Sequence, residues 1–200
     1  IPIAEEIGLI VPLGAWVFRT VLQQLRGWLD EGLPIACVSI NVSGRQLTRD
    51  LGDVVRNVLL ETGVDASHLE IEVTESAVID DADAGIAALG ELRKLGVRIS
   101  LDDFGTGYSS LSYLRTLPIS GVKIDRSFTA SLGEDGRNTE LVASIVTMAK
   151  VLGLSVIAEG VETEEQAEIL TEMGCDELQG FLFSGPLPSA DARRLLAEGL

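Results

Sequence analysis

Residues 92–105 read LRKLGVRISLDDFG and contain the end of a helical pattern, a glycine, an alternating strand and two adjacent carboxylates. Gly96 suits the left-handed conformation that closes a helix before a strand begins. Polar and apolar residues then alternate from Ile99 to Asp102, which is the period of a β-strand. The segment therefore predicts a helix, a tight connection and a strand that ends in acidic residues.

The same unit recurs along the whole chain. Gly63, Gly153 and Gly174 also follow helical patterns and precede apolar residues. Short apolar runs that follow helical patterns predict parallel strands joined by helices. Six strands are predicted, at Ile35–Asn41, Leu69–Thr74, Val97–Asp102, Gly121–Asp125, Leu154–Glu159 and Glu177–Phe181.

Two stretches show the spacing of amphipathic helices, and a third shows a helix start. Residues 163–166, Thr-Glu-Glu-Gln, form a capping box that opens a helix. The apolar stripes predicted to face the core are Phe18, Leu22, Leu25 and Leu29 in one helix, and Leu141, Ile145, Met148 and Leu152 in the other.

Strand followed by helix, six times over, predicts one α/β domain across residues 1–200. The architecture expected is a TIM-type (β/α)₈ barrel, here with about six βα units and the first two strands missing, because eight units need ~250 residues. An open doubly wound sheet is the alternative. It usually carries a glycine-rich phosphate turn after its first strand, and the chain has none there.

The composition excludes several functional classes. A net charge of −16 lacks the basic surplus that holds proteins on polynucleotides or anionic membranes, and 46% hydrophobic residues exceed what disordered chains contain. Cys37 and Cys175 lie far apart and His68 is the single histidine, which disfavours a disulfide framework or a zinc site. No apolar run reaches the ~18 residues of a membrane span. We expect a cytoplasmic protein.

Every predicted strand ends in polar residues, which a barrel would gather at one mouth. Carboxylates predicted to point inward need cations or hydrogen bonds, or else their pKa values rise, and a single lysine cannot compensate them all. Hard oxygen ligands suit Mg²⁺ or Mn²⁺, and a pair of such ions supports phosphodiester hydrolysis, with Lys123 orienting the nucleophile. The residues at these ends are Asn41, Glu72, Glu75, Asp102, Asp103, Lys123, Asp125, Glu159, Glu162 and Gln179.

Each of these features also has a purely structural interpretation. Asp102 or Glu72, taken alone, could be a solvated carboxylate at a loop end or helix cap. The glycine-rich turn that contains Gly105 and Gly107 could be a tight strand-to-helix connection, or a loop that contacts substrate or a second subunit. Asp80, Asp81 and Asp83 are assigned only to the first turn of a helix.

Seven blocks in order resemble one family, the EAL-domain phosphodiesterases that hydrolyse cyclic di-GMP. They cover nearly the whole chain, and their order makes the resemblance highly specific. The blocks are residues 3–10 (IAEEIGLI), 41–43 (NVS), 72–76 (EVTES), 102–111 (DDFGTGYSSL), 123–128 (KIDRSF), 158–163 (AEGVET) and 179–183 (QGFLF).

The resemblance implies a metal-dependent cyclic di-GMP phosphodiesterase of bacterial second-messenger signalling, with the linear dinucleotide as product. It implies that Lys123 assists the attacking water, that Gln179 lies near substrate or metal-bound water, and that Glu162 supports the site. Glu75 is expected to anchor the loop containing Gly105 and Gly107. The implied ligands of the two ions are Asn41, Glu72, Asp102, Asp103 and Glu159, the last also being expected to act in catalysis.

Similar domains bind Mg²⁺ or Mn²⁺, are opposed by Ca²⁺, and often form homodimers through the helix that is here Ser109–Leu117. Flanking sensory or cyclase domains are expected, with no polynucleotide partner. The family's Glu-Ala-Leu strand, which supplies a further glutamate ligand, lies upstream of Ile1, so these 200 residues alone are expected to be weakly active or inactive. The alternatives are a non-catalytic cyclic di-GMP receptor or scaffold, and a metal-dependent barrel acting on another phosphate ester or enolate.

Overall fold

The computed structural model describes residues 1–79, 82–105, 114–133 and 136–199. The chain forms two compact units. The first unit comprises Ile1–Ile99 together with Ser189–Leu200, and the second comprises Ser100–Pro188. Strand β3 begins in the first unit and continues in the second.

Six parallel strands follow one another in the sheet in chain order, which confirms the predicted α/β class with six βα units. Asn41 is in register with Glu72 in the first unit, and Lys123 is in register with Ile157 in the second. The strands are β1 (Val38–Asn41), β2 (Leu69–Thr74), β3 (Arg98–Phe104), β4 (Gly121–Ile124), β5 (Ser155–Ala158) and β6 (Glu177–Leu178).

Helices connect these strands and lie at both ends of the described chain. They are α1 (Pro2–Glu6), α2 (Ile10–Asp30), α3 (Leu51–Thr62), α4 (Glu75–Ile79), α5 (Ala82–Lys94), α6 (Arg126–Thr129), α7 (Gly136–Val151), α8 (Glu164–Met173) and α9 (Ser189–Glu198). Within the described residues, none of them combines the length and the apolar character needed to cross a bilayer.

The core of the first unit follows the sequence pattern. Phe18, Leu22 and Leu25 of α2 are buried, as their helical spacing predicts. In β2 every residue except Thr74 is buried, including Glu70 and Glu72, so both faces of this strand are covered. A parallel strand buried on both faces is typical of an α/β sheet with helical connections.

The predicted core face of α7 is wrong for most of its residues. Leu141 is 47% exposed, and Met148 is only partly buried. The buried positions are Val142, Ile145, Val146 and Ala149, where α7 packs on β4 and β5. A spacing of 3.6 residues fits more than one stripe in this apolar helix, and packing on the strands selects the one that contains smaller residues.

The strand predicted at Glu177–Phe181 ends after Leu178. The main-chain N–H of Phe183 donates to the carbonyl of Gly180, so the chain turns there instead of extending. A Cβ at Gly180 would lie 2.0 Å from the carbonyl oxygen of Val161, which shows that only glycine fits this close approach of two backbones. The turn is therefore held directly against the segment after β5.

The helix-end predictions are confirmed. The Thr163 hydroxyl accepts from the N–H of Gln166, and the Gln166 side chain accepts from the N–H of Thr163, which completes the capping box. The four glycines predicted to close helices, Gly63, Gly96, Gly153 and Gly174, all have positive φ between 66° and 92°.

Asp176 connects β5 to the start of β6, and its replacement by asparagine is expected to destabilise the second unit. One carboxylate oxygen lies 2.5 Å from Nζ of Lys150, and the other accepts from the N–H of Val156 at 2.7 Å. Burial raises the pKa of Asp176, but the hydrogen bonds from Lys150 and Val156 outweigh it and the pKa is lowered. The stabilisation is therefore present above pH ~4 and is lost as the pH falls through the lowered pKa.

Because this pair is partly exposed, we expect Asp176→Asn to cost about 0.5 to 1 kcal/mol at pH 7. Urea unfolding of both proteins between pH 2 and pH 7 measures the difference, which should shrink at the acid end. A difference that does not change with pH would contradict an ionic contribution from Asp176.

Candidate functional site

Asn41 and Glu72 lie at the carboxyl ends of neighbouring strands in the first unit. They are in register across the β1–β2 pair, and Nδ2 of Asn41 donates to Oε2 of Glu72 at 3.2 Å. Glu72 is buried, whereas Asn41 is exposed. The amide nitrogen of Asn41 therefore faces the carboxylate of Glu72. The amide oxygen of Asn41 and the carboxylate of Glu72 are the candidate metal ligands on this edge of the sheet.

A cavity of about 600 Å³ surrounds Asn41 within the first unit. Its polar lining includes Glu5 of α1, Ser43 and Arg45 after β1, and Thr74 and Ser76 at and after the end of β2. Apolar residues of α2, such as Leu13 and Val17, line the rest. The cavity is large enough for part of a nucleotide and lies beside one of the predicted ligands.

Glu75 follows directly at the first position of α4. It is buried, and its Oε2 atom has no hydrogen-bond partner among the residues that the structure describes. The family resemblance implies that Glu75 anchors the glycine-rich loop. Gly107 in that loop lies outside the described residues. So do residues 109–113, the first part of the predicted dimer helix Ser109–Leu117.

A bulge in β3 presents Asp102 and Asp103 in the second unit. Leu101 pairs with Val122 and Phe104 pairs with Ile124, so the two aspartates stand opposite a single residue, Lys123. Asp103 has a φ of 54°, which makes it the one described residue other than glycine in the left-handed region. Its N–H donates to Oδ1 of Asp102 at 3.0 Å.

The bulge itself and the positive φ of Asp103 both raise the free energy of the folded strand. A bulge interrupts the ladder and redirects a side chain, and a left-handed residue costs roughly 1 kcal/mol or more. Aspartate tolerates this conformation better than most residues. Strained residues persist where the surrounding structure holds them in place, and they cluster at functional sites, so this bulge is a candidate site.

The electrostatics of the bulge show an excess of negative charge. The pKa of Asp103 is raised by burial and by the charges of Asp102 and Asp125, and Lys123 offsets this only in part. The carboxylate of Asp125 already caps α6, because it accepts from the N–H of Ser127 at 3.0 Å. An added cation near Asp102 and Asp103 would therefore be stabilising.

The side chain of Lys123 lies between the carboxylates of Glu159 and Asp102. It is only 3% exposed, and Nζ lies 2.5 Å from Oε1 of Glu159 and 3.8 Å from Oδ1 of Asp102. The two carboxylates are 20% and 15% exposed. A buried ammonium between two partly buried carboxylates has few structural justifications, because apolar residues of similar size usually stabilise a core as well.

The remaining predicted residues lie on the backbone turns beside Glu159. The N–H of Gln179 donates to the carbonyl of Ala158 at 2.8 Å, and the N–H of Val161 donates to the carbonyl of Gln179 at 3.0 Å. The N–H of Glu162 donates to the side chain of Gln166 at 2.8 Å. The side chains of Gln179 and Glu162 are exposed, so both can reach a ligand outside the turns.

The donor chemistry fits a hard divalent cation, although no set of ligands is complete. In the described residues, no three His, Cys, Asp or Glu side chains are grouped closely enough to hold an ion. The first unit contributes Asn41 and Glu72, and the second contributes Asp102, Asp103 and Glu159. All are oxygen donors, and the pKa of Asp103 is raised by burial first and then by neighbouring negative charge, which a cation would neutralise.

A family model described as "EAL domain" matches residues 1–186. The chain belongs to the EAL domain family. This confirms the resemblance found in the sequence. The bifunctional diguanylate cyclase/cyclic di-GMP phosphodiesterase MucR of Pseudomonas aeruginosa is 48% identical over 199 residues, which are 99% of this EAL chain and 29% of that relative. The EAL chain thus spans less than a third of the length of that curated relative.

Solved structures of EAL proteins share the fold. The PaMucR phosphodiesterase in complex with c-di-GMP is 47% identical and has a TM-score of 0.89, covering 96% of the EAL chain and 78% of that chain. A manganese/cyclic di-GMP complex of Klebsiella pneumoniae BlrP1 is 32% identical with a TM-score of 0.78, and covers 90% and 45% of the two chains. A calcium/cyclic di-GMP complex of BlrP1 is also 32% identical, with a TM-score of 0.77 and coverage of 90% and 44%.

Proposed function

We propose that this EAL chain hydrolyses cyclic di-GMP to the linear dinucleotide with divalent metal ions, in bacterial second-messenger signalling. The observation that carries the proposal is the position of Lys123, buried between Glu159 and Asp102 and opposite the strained pair of aspartates. A cation held among carboxylates at strand ends is the arrangement expected where a phosphate and a nucleophilic water meet. Relatives named for cyclic di-GMP phosphodiesterase activity support the choice of substrate.

The proposed metal ligands are all oxygen donors at strand ends. When bound, Mg²⁺ or Mn²⁺ would lower the pKa of a water and stabilise the charge on phosphate. Complexes of BlrP1 with manganese or calcium support a divalent requirement, and we expect Ca²⁺ to bind without supporting turnover. The proposed ligands are Asn41 and Glu72 in the first unit, and Asp102, Asp103 and Glu159 in the second.

The other residues act through the protein itself. Lys123 holds its ammonium at Glu159 and Asp102, from where it can orient the attacking water and offset charge that develops on the phosphate. Gln179 is exposed beside Ala158, and for it we propose contact with substrate; for Glu162 we propose support of the segment that carries Glu159. For Glu75, whose buried Oε2 atom has no hydrogen-bond partner among the described residues, we propose the role of anchoring the loop of Gly105 and Gly107.

The test is metal-dependent turnover by the protein in its full length, because residues 1–200 alone are expected to be weakly active or inactive. Cyclic di-GMP is incubated with the protein in Mn²⁺, in Ca²⁺ and in EDTA, and the linear dinucleotide is quantified by chromatography. Calorimetry in Ca²⁺ measures binding separately. Formation of linear product in Mn²⁺ above the EDTA background supports the proposal.

Two other results would overturn it. Binding of cyclic di-GMP without any Mn²⁺-dependent product would make the chain a receptor or scaffold. Hydrolysis of a general phosphodiester such as bis-p-nitrophenyl phosphate, with neither binding nor cleavage of cyclic di-GMP, would assign it a different substrate. Asp191→Asn, at an exposed carboxylate of α9 paired with Arg194, is the control variant for each assay.

A further inference from the structure

The one-turn helix α6 begins three residues after Lys123 and contacts the segments that follow β3 and β5 in the second unit. Its last residue, Thr129, is completely buried. The Thr129 hydroxyl lies 2.5 Å from the main-chain carbonyl oxygen of Glu159 and 3.0 Å from that of Arg126. The second contact is the usual bond of a threonine within a helix, whereas the first joins α6 to the end of β5 across 30 residues of sequence.

The backbone after Glu159 also lies unusually close to α6. Gly160 has a φ of 69°, and a Cβ there would lie 2.5 Å from Cβ of Arg126 and 3.3 Å from the Thr129 hydroxyl oxygen. Both the conformation and the lack of space require glycine. The peptide between Glu159 and Gly160 therefore lies close to both the Thr129 hydroxyl and Arg126, the first residue of α6.

The same helix reaches the aspartate bulge. The ring of Phe128 lies against Gly105, where a Cβ would be 3.0 Å from Cε2 of the ring. The helix itself is well anchored, because Asp125 caps its start and Nδ2 of Asn138 donates to the carbonyl of Phe128 at 2.5 Å. It thus contacts the segments that follow the acidic ends of both β3 and β5.

We propose that Thr129 is a positioning residue for Glu159, and this rests on the role proposed for Glu159 as a metal ligand. By accepting from the Thr129 hydroxyl, the carbonyl of Glu159 fixes the peptide plane at the end of β5, and so the direction in which the carboxylate leaves the backbone. That direction brings Oε1 to 2.5 Å from Nζ of Lys123. Partners that orient a ligand contribute to affinity although they never touch the metal.

The decisive variants are Thr129→Val, which has nearly the same shape but no hydroxyl, and Thr129→Ser, which keeps the hydroxyl. Thr147→Val is the matched control, because its hydroxyl also donates to a carbonyl, that of Ala143 at 2.8 Å, on an exposed face of α7. Crystal structures of the metal-free proteins give the separation between Lys123 and Glu159, and calorimetry gives the dissociation constant for Mn²⁺ alone. Thr129→Ala is the second variant if Thr129→Val does not fold.

We expect Thr129→Val to weaken Mn²⁺ binding about 10-fold, as loss of a ligand-orienting partner does, and to displace the Glu159 carboxylate from Lys123. Thr129→Ser should restore both, and Thr147→Val should change neither. Unchanged Mn²⁺ affinity with the ion pair still at 2.5 Å in Thr129→Val would overturn the proposal. If the unaltered protein binds no Mn²⁺, the proposed function fails, whereas the metal-free separation still decides the role of Thr129.

Discussion

Lys123→Met is expected to destabilise the metal-free protein by about 3 kcal/mol and to reduce turnover of cyclic di-GMP at least 100-fold. Methionine fills the same volume, so the change removes the charge with little change in packing. The carboxylates of Glu159 and Asp102 are then left only 20% and 15% exposed without their ammonium partner. Breaking such a pair costs more than the pair itself contributes, because a charge remains poorly solvated.

A divalent cation should reverse part of this loss of stability. Mn²⁺ binds the folded protein alone, so its effect on the free energy of unfolding grows with concentration. Because Lys123→Met retains all proposed ligands and has lost the competing ammonium, we expect Mn²⁺ to stabilise this variant more than it stabilises the unaltered protein. Activity should not return, since no group would remain to orient the attacking water.

The matched control is Lys94→Met. Lys94 is 73% exposed and pairs with Glu91 at 2.6 Å on α5, so the same chemical change is expected to cost less than ~0.5 kcal/mol there. Urea unfolding in EDTA and in Mn²⁺ measures all three proteins. Equal losses at the two lysines, or a Lys123→Met variant that does not respond to Mn²⁺, would contradict a site built around this ammonium.

The strand ends could be located from the sequence because glycine caps and strand alternation are local signals. Gly96 ends α5 with a φ of 92°, and the predicted strand Leu69–Thr74 matches β2 to the residue. Polar residues at these ends are therefore recognisable from the sequence as candidate ligands. In a parallel sheet, knowing where a strand ends is enough to know which edge its last residues share.

The missed features depend on contacts between segments distant in sequence. The exposed position of Leu141 is decided by how α7 packs on β4 and β5, not by the spacing of its residues. Thr129 carries no local signal, because its bond to Glu159 spans 30 residues. The bulge that places Asp102 and Asp103 opposite Lys123 needs the register of two strands, which a single alternating pattern does not contain.

Asp103→Asn separates the metal role of this residue from its effect on stability, and the two effects are expected to have opposite signs. Asparagine adopts the left-handed conformation at least as readily as aspartate, so the φ of 54° is retained. A neutral amide is a poorer ligand than a carboxylate for a hard cation. We therefore expect Mn²⁺ affinity to fall more than ~10-fold and turnover at least ~100-fold, as for other groups that act directly at a reacting centre.

In the metal-free protein, Asp103→Asn should instead increase the free energy of unfolding. The pKa of Asp103 is raised, first by burial and then by Asp102 and Asp125, so ionisation of this carboxyl disfavours the folded state. The penalty is absent below pH ~4 and appears as the pH rises from the unfolded pKa through the raised folded pKa. In EDTA, Asp103→Asn is thus expected to be more stable than the unaltered protein at pH 7, with no advantage at pH 3.

Urea midpoints at the two pH values, with Asp191→Asn as the control, test this reversal, because Asp191 is an exposed carboxylate on α9. A variant that is less stable at pH 7 in EDTA would mean that the charge of Asp103 already has a sufficient protein partner, and would remove the electrostatic reason for a cation there. A variant that is more stable without metal but less stabilised by Mn²⁺ would show that the charge of Asp103 disfavours the metal-free fold and that a bound ion offsets this cost.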